Sequence, residues 1–340
     1  MTSALDAAPF PKGRRRRVGD SIFRGSTAAV GGGLVLLLGV LVLVLSLDGW
    51  RALSTFGIHF FTGTHWNPVA GRENYGALPF IFGTLVTSAV AMVIAVPVAV
   101  GVALLVNEAS SGWIRNPLAV LVDLLAAIPS VVYGLWGLFV LLPIMNRDIQ
   151  PFLEATIGKV PIIGALFRGG GAGGNLLTAG VLLSIMILPI VTAVTREVIA
   201  VVPRDLREAS LALGASRYET VRQAILPYAR PGIVGAAMLG LGRALGETVA
   251  VVLVVGNGLG ISASLLKPGY TIPGVIANEF REATNVGVHR SALLALALLL
   301  MVIAFIMAAL SRLLVRRTVR VAGADVADLD ATAGDAVGLR

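Results

Sequence analysis

An arginine and a glutamate stand four residues apart in an otherwise apolar run: Arg243 and Glu247 in GIVGAAMLGLGRALGETVAVVLVVG, residues 232–256. Read as one helix, the run puts Arg243 about 16 Å from its start and both charges on one face. Ionised side chains at bilayer depth are costly and ordinarily face a cavity, a pathway or a partner. Two chemistries fit. Either the pair neutralise one another as a structural unit, or Arg243 offers positive charge and a planar donor fork to a passing oxyanion while Glu247 holds it in place. Asp123 and Ser130 are weaker candidates for the same pathway. Asp123 sits near one end of an apolar run, and IPSVVYG puts Pro129 and Ser130 mid-run, where a kink and a polar hydroxyl are expected.

Other chemistries are excluded. The chain has no cysteine, so disulfides, thiol catalysis and cysteine-held metals are out. His59, His65 and His289 lack metalloprotease spacing, and no metal site is expected. No GxxxxGK[ST] loop is present; Gly158-Lys159 is followed by Val160 and lacks the required glycine. No cofactor is expected on this chain, and it has no means of hydrolysing ATP by that loop.

The elements that carry these residues must lie in a membrane. Of 340 residues 56% are hydrophobic and 14% charged, with a mean hydropathy of +0.87, against roughly a quarter charged in soluble domains. A bilayer core needs about 20 apolar residues per helix. Six runs qualify, at 27–47, 78–106, 117–142, 176–198, 232–256 and 290–314. The second is long enough to tilt or to bend at Pro97. The connectors 143–175 and 257–289 read as too polar and broken to span. The first run is expected to be retained as a helix, being too long for a signal peptide and without a small-residue cleavage site. An all-α integral membrane protein of six spans follows, after a basic segment at 1–26. The Ala, Gly and Asp-rich tail at 319–340 is expected to be disordered. Of the 27 Lys and Arg, 18 fall in or beside the segments that are internal if both termini are inside, and eight in the other connectors. That bias predicts both termini in the cytoplasm. The Arg14–Arg17 run then reads as a topology signal rather than a nucleic-acid contact.

The segment between the fourth and fifth runs is long, polar and patterned as helix, turn, helix. Pro203 and Asp205 start the first helix, Gly214 supplies the break, and Ser216 with Glu219 forms a capping box for the second, which is expected to end at Leu226-Pro227. By itself this is an amphipathic hairpin on the headgroups. Its sequence, EASLALGASRYETVRQAILP, resembles the EAA loop of ABC-importer permeases through Glu208, Ala209, Gly214, Leu226 and Pro227. It departs at Ser210, in place of the second alanine, and at Ala224, where isoleucine is usual. Together with NYGALPFIFGTLVTS, DLLAAIPSVVYGLWGLFVLLP and RALGETVAVVLVVGN, it makes residues 20–318 similar to PstC-type permeases of phosphate-specific (Pst) ABC importers.

The resemblance implies a type I importer permease fold, a coupling loop at 203–227 that docks on an ATPase, and ATP-driven phosphate import. It implies as partners a second homologous permease, two ATP-binding subunits that bind ATP and magnesium, and an extracytoplasmic phosphate-binding protein. It also places Arg243 and Glu247 in the helix associated with phosphate passage. A permease for molybdate or sulfate, the partner A-type permease, and an anion channel or proton-coupled carrier are the competing readings. The EAA loop argues against the last two, which have no use for an ATPase dock.

The topology is testable in this cysteine-free background. Ser216→Cys should react with a membrane-impermeant thiol reagent only from the cytoplasmic side, and Thr64→Cys only from outside. The reverse pattern would invert the orientation.

Overall fold

A computed structural model of the protein describes residues 16–69, 71–109, 112–171, 173–283 and 287–337, with side chains in the last helix as far as residue 313. The chain opens with α1 (Arg16–Phe56), a short α2 (His59–Thr62), and a two-stranded antiparallel ribbon, β1 (Trp66–Asn67) with β2 (Asn74–Tyr75). Next come α3 (Leu78–Leu104), which runs on through a π turn, and α4 (Gly112–Ala127). After a break, α5 (Ser130–Trp136), α6 (Leu142–Ile144) and α7 (Gln150–Ala155) continue one another through two further π turns. The chain then runs through α8 (Leu176–Ala200), α9 (Arg204–Ala212), α10 (Arg217–Thr220), α11 (Leu226–Gly246), α12 (Val249–Val254), α13 (Ile272–Glu279) and α14 (Val288–Val337).

Among the described residues six helices are long and apolar enough to cross a membrane. Four coincide with the runs read from sequence, and two are corrected. The third run was expected at 117–142. The helix instead breaks at Ile128-Pro129, and the stretch apolar enough to cross is Ser130–Lys159. The connector expected from 143 therefore begins as helix, because buried Leu141, Met145 and Gln150 keep an inward face while Arg147 and Asp148 point outward. The fifth run was expected unbroken across 232–256. It stops at Gly246, and α12 resumes at Val249. Likewise Leu226-Pro227 does not end a helix, since the chain is helical from Arg217 to Gly246.

Proline explains the continuity. Pro143, Pro151 and Pro227 each occupy the second residue of a helix that directly follows a π turn. A proline cannot donate to the carbonyl one turn back, and the wider turn lets the ladder skip that missing donor.

Helix α8 is the central post. It is buried along most of its length and packs on α3, α4, α5, α11 and α12. Small residues set the distances, as they must where lipid is as apolar as the core. Ala91, Ala95, Ala99 and Ala103 form a buried four-residue ladder on α3. A Cβ on Gly180 of α8 would fall 2.4 Å from Val90, and one on Gly232 of α11 2.4 Å from Val198. At the rim, α1 meets α14 where Gly49 lies against Ala295 and the Ser291 hydroxyl donates to the Asp48 carbonyl at 2.7 Å. The helix of α14 continues through 319–337, the part of the chain expected to lack structure; its alanines favour a helical backbone. Residues 1–15 and 338–340 lie outside the described residues, as do the side chains of the Arg14–Arg17 run.

At the ribbon end of the bundle, aromatic rings close the fold. The Trp66 Nε1 donates to Glu279 at 2.8 Å, and His289 Nε2 is 2.9 Å from the same carboxylate oxygen. The Tyr75 ring stacks on His289 at 5.7 Å. Burial, and secondarily the charges of Glu73 and Glu279, push the Tyr75 phenol up to about 12. An acid whose folded pKa is raised adds stability below its unfolded pKa near 10, and that stability is lost as pH rises through the folded value. The Tyr75 hydroxyl is buried without a hydrogen-bond partner. Tyr75→Phe should therefore fold normally and show a shallower fall in melting temperature between pH 10 and 12 than the wild type. Identical alkaline profiles would remove Tyr75 as the cause.

Candidate functional site

Two helix breaks meet beside α8. In the first, Pro129 adopts an extended conformation (ψ 142°) and α5 begins at Ser130, which is half-buried. The break frees carbonyls of α4, and the Tyr133 hydroxyl donates across it to the Leu125 carbonyl at 2.9 Å. In the second, Glu247 turns extended (ψ 128°) and the Thr248 hydroxyl donates back to the Gly246 carbonyl at 3.2 Å. The two broken segments touch: a Cβ on Gly134 of α5 would fall 2.8 Å from the Ala250 backbone of α12. Irregular backbone at membrane depth is tolerated where it is buried in protein or lines a cavity, and paired breaks of this kind are where transporters place their ion sites.

Arg243 lies on the last turn of α11, about 20 Å along the helix from Arg230, the charge before it. Its side chain is exposed and close enough to Tyr133 to act on it electrostatically. The expected pairing with Glu247 is not formed. Because α11 ends at Gly246, Glu247 leaves the helical face that four-residue spacing would have given it, and no ion pair joins the two among the described residues. Arg243 and Ser130 thus belong to neighbouring breaks, while Asp123 stands apart. Asp123 is 58% exposed and pairs at 3.7 Å with Arg196, at the far end of α8. The ion pair ties α4 to α8.

That far end also holds the helix–turn–helix loop. Gly214 takes φ +87°, a conformation costly for any residue with a Cβ. Ser216 and Glu219 form the reciprocal capping box read from the sequence. The Ser210 and Thr220 hydroxyls meet at 3.2 Å and hold the two short helices together. Glu208 and Ala209 are exposed on α9, and Leu213 at its end is 90% exposed. Leu226 and Pro227 open α11 at the base of the loop.

The anchor of this loop is a residue the sequence reading missed. Arg207 donates to the Ile199 carbonyl at the end of α8 at 2.9 Å and pairs with Glu108 after α3 at 3.0 Å. A cation at a helix C-terminus also meets the negative end of its dipole. Beside it, Asn107 donates to the Arg196 carbonyl at 2.7 Å. Nothing local signals these contacts, because 99 residues separate Arg207 from Glu108. Among the described residues no group of three or more metal-ligating side chains converges.

Comparison with known proteins follows the same lines. The family model for the binding-protein-dependent transport system inner membrane component matches residues 95–320. The phosphate transport system permease protein PstC of Xylella fastidiosa (strain Temecula1) is 46% identical, over 87% of this chain and 90% of its own. That of Mesorhizobium japonicum is 44% identical over 89% and 92%, and that of Haemophilus influenzae 42% over 88% and 93%. Among solved structures, a bacterial ABC transporter involved in the import of alginate aligns with a TM-score of 0.55 over 88% of this chain and 99% of that one, at 15% identity. The alginate transporter in complex with its pentasaccharide-bound periplasmic protein gives 0.56 over 88% and 98%, at 16% identity. At those identities the likeness speaks for the fold alone.

The anchor carries a prediction. Arg207→Ala leaves Glu108 half-buried without its cation, which should cost about 1–3 kcal/mol. Glu108→Gln combined with it should recover part of that loss, read by denaturant unfolding in detergent as a double-mutant cycle. A coupling energy indistinguishable from zero would make the pair incidental to the loop.

The family match over residues 95–320 and the relatives 42–46% identical over most of the chain show that it belongs to the family of binding-protein-dependent transport system inner membrane components, as a multi-pass ABC importer permease of the PstC group.

Proposed function

We propose that this chain is the permease subunit through which inorganic phosphate enters the cell, driven by ATP hydrolysed on partner subunits. The observation that carries the reading is the exposed guanidinium of Arg243 beside two abutting helix breaks. A planar, permanently charged fork suits a tetrahedral oxyanion. The names of relatives 42–46% identical over most of the chain support phosphate over molybdate or sulfate. Glu247, at the break but not paired with Arg243, and Ser130, with its hydroxyl on the facing segment, are kept as pathway residues.

The chain performs no covalent chemistry in this reading and holds no cofactor. Its loop at 203–227 presents exposed Leu213 and Tyr218 together with Glu208 and Ala209, a surface suited to a groove on an ATP-binding subunit. A second homologous permease completes the pathway, two ATP-binding subunits act on the cytoplasmic side, and a phosphate-binding protein delivers from outside. ATP binding draws the coupling loops together and changes which side the cavity faces. Both termini lie in the cytoplasm.

Co-purification with a tag on this chain should recover an ATPase and a second permease. Finding the chain alone, with transport indifferent to ATP, would overturn the reading. Because Arg243 pairs with no acid among the described residues, Arg243→Gln should assemble normally. Its phosphate uptake per assembled complex should fall about tenfold or more, matching the loss of a charge-assisted hydrogen bond. Arg243→Lys should fall between, and near-normal uptake by Arg243→Gln would withdraw the residue from the pathway.

A further inference from the structure

Helices α11 and α14 are in contact, yet they leave a trough of about 260 Å³ between them. Gly235, Met238 and Gly242 form one wall and Ala304 and Ala308 the other, while Ser311 and Arg312 lie at the end nearest the docking loop. The glycines of α11 divide by face. Gly232 and Gly240 are filled by Val198 and Val191 of α8, whereas a Cβ on Gly235 or Gly242 would meet nothing within 4 Å. The first two let helices approach, and the second two keep the trough open.

Its dimensions and its charge both point to an occupant. From Gly235 to Leu245 the lining covers about 15 Å of helix, half of a hydrocarbon core about 30 Å thick. That is the depth of one leaflet. Arg312 lies in the last turn of the apolar part of α14, at the level where a long basic side chain reaches the headgroups. The sequence continues with Arg316, Arg317 and Arg320, so this end of the helix is strongly basic.

We propose that the trough binds an anionic phospholipid of the leaflet on the docking-loop side. One acyl chain lies along Gly235 and Gly242 against Ala304 and Ala308, and the Arg312 guanidinium with the Ser311 hydroxyl takes the lipid phosphate. A phospholipid seated here carries its anion at the height of Arg312 and its acyl chain at the depth of the glycines. The inference is independent of which substrate the transporter moves.

The test uses the assembled transporter in bilayers. This chain lacks cysteine, so Leu239→Cys, at the exposed rim of the trough, gives it a single labelling site for a fluorophore, used with partner subunits whose own cysteines have been replaced. Nitroxide-labelled phosphatidylglycerol and phosphatidylcholine are then compared as quenchers at equal mole fraction. The anionic probe should be favoured about fivefold, the order expected of one basic contact. Arg312→Gln should abolish that preference, Arg312→Lys should keep most of it, and Gly235→Leu, which fills the trough, should weaken quenching by both probes. Equal quenching by the two lipids in the unaltered protein would overturn the proposal, and so would the absence of quenching by either, since protein would then cover the trough.

Discussion

Apolar side chains gain nothing by leaving lipid for one another, so the whole bundle depends on how closely its backbones can approach α8. The alanine ladder of α3 and the glycines at 180, 232 and 240 provide that approach. Dispersion contacts between closely packed helices then replace the water-driven term that holds a soluble core. The exposed apolar surface of α1 and of the outer faces follows from the same constraint. Those side chains are already in their preferred solvent.

A post held this tightly permits irregularity elsewhere. The breaks at Pro129 and Glu247 leave backbone groups without their helical partners, which the hydrocarbon could not satisfy. They persist because each is patched: Tyr133 reaches back to Leu125, Thr248 to Gly246, and Gly134 lets the two segments seal against one another. The result is polar backbone and one exposed cation in the interior of a membrane protein. In the proposed pathway the polar groups stand where regular structure fails, with regular structure packed behind them.

What the sequence made legible was local or compositional. The capping box at Ser216 and Glu219 lies within four residues, and the turn at Gly214 needs one residue with φ > 0, so both could be read directly. Hydropathy found the spans because the bilayer imposes their length. It could not place the breaks, since an apolar run reads the same whether or not the helix within it is continuous. Pro129 announced a kink and proved to be an interruption; Glu247 carried no such mark, and its departure from the helical face dissolved the expected pair with Arg243. Conversely, Pro143, where a connector was expected to begin, and Pro227, expected to end a helix, are absorbed by π turns, as is Pro151. Arg207 with Glu108 and Arg196 with Asp123 join residues far apart in sequence, beyond the reach of any spacing rule.

These two ion pairs bear on how the protein is made. With both termini in the cytoplasm, as proposed above, Arg196 and Arg207 would belong to the cluster of positive charge that biases the orientation of the nascent chain during insertion. Once the helices are assembled, each faces a carboxylate. Glu108 and Asp123 precede both arginines in the chain, so synthesis delivers the acids first and the cations later. The same charges thus serve twice in succession: unpaired, they help choose the side of the membrane on which a segment stays; paired, they lock the segment that stayed there. Biogenesis and the finished architecture share one set of residues, separated only by time.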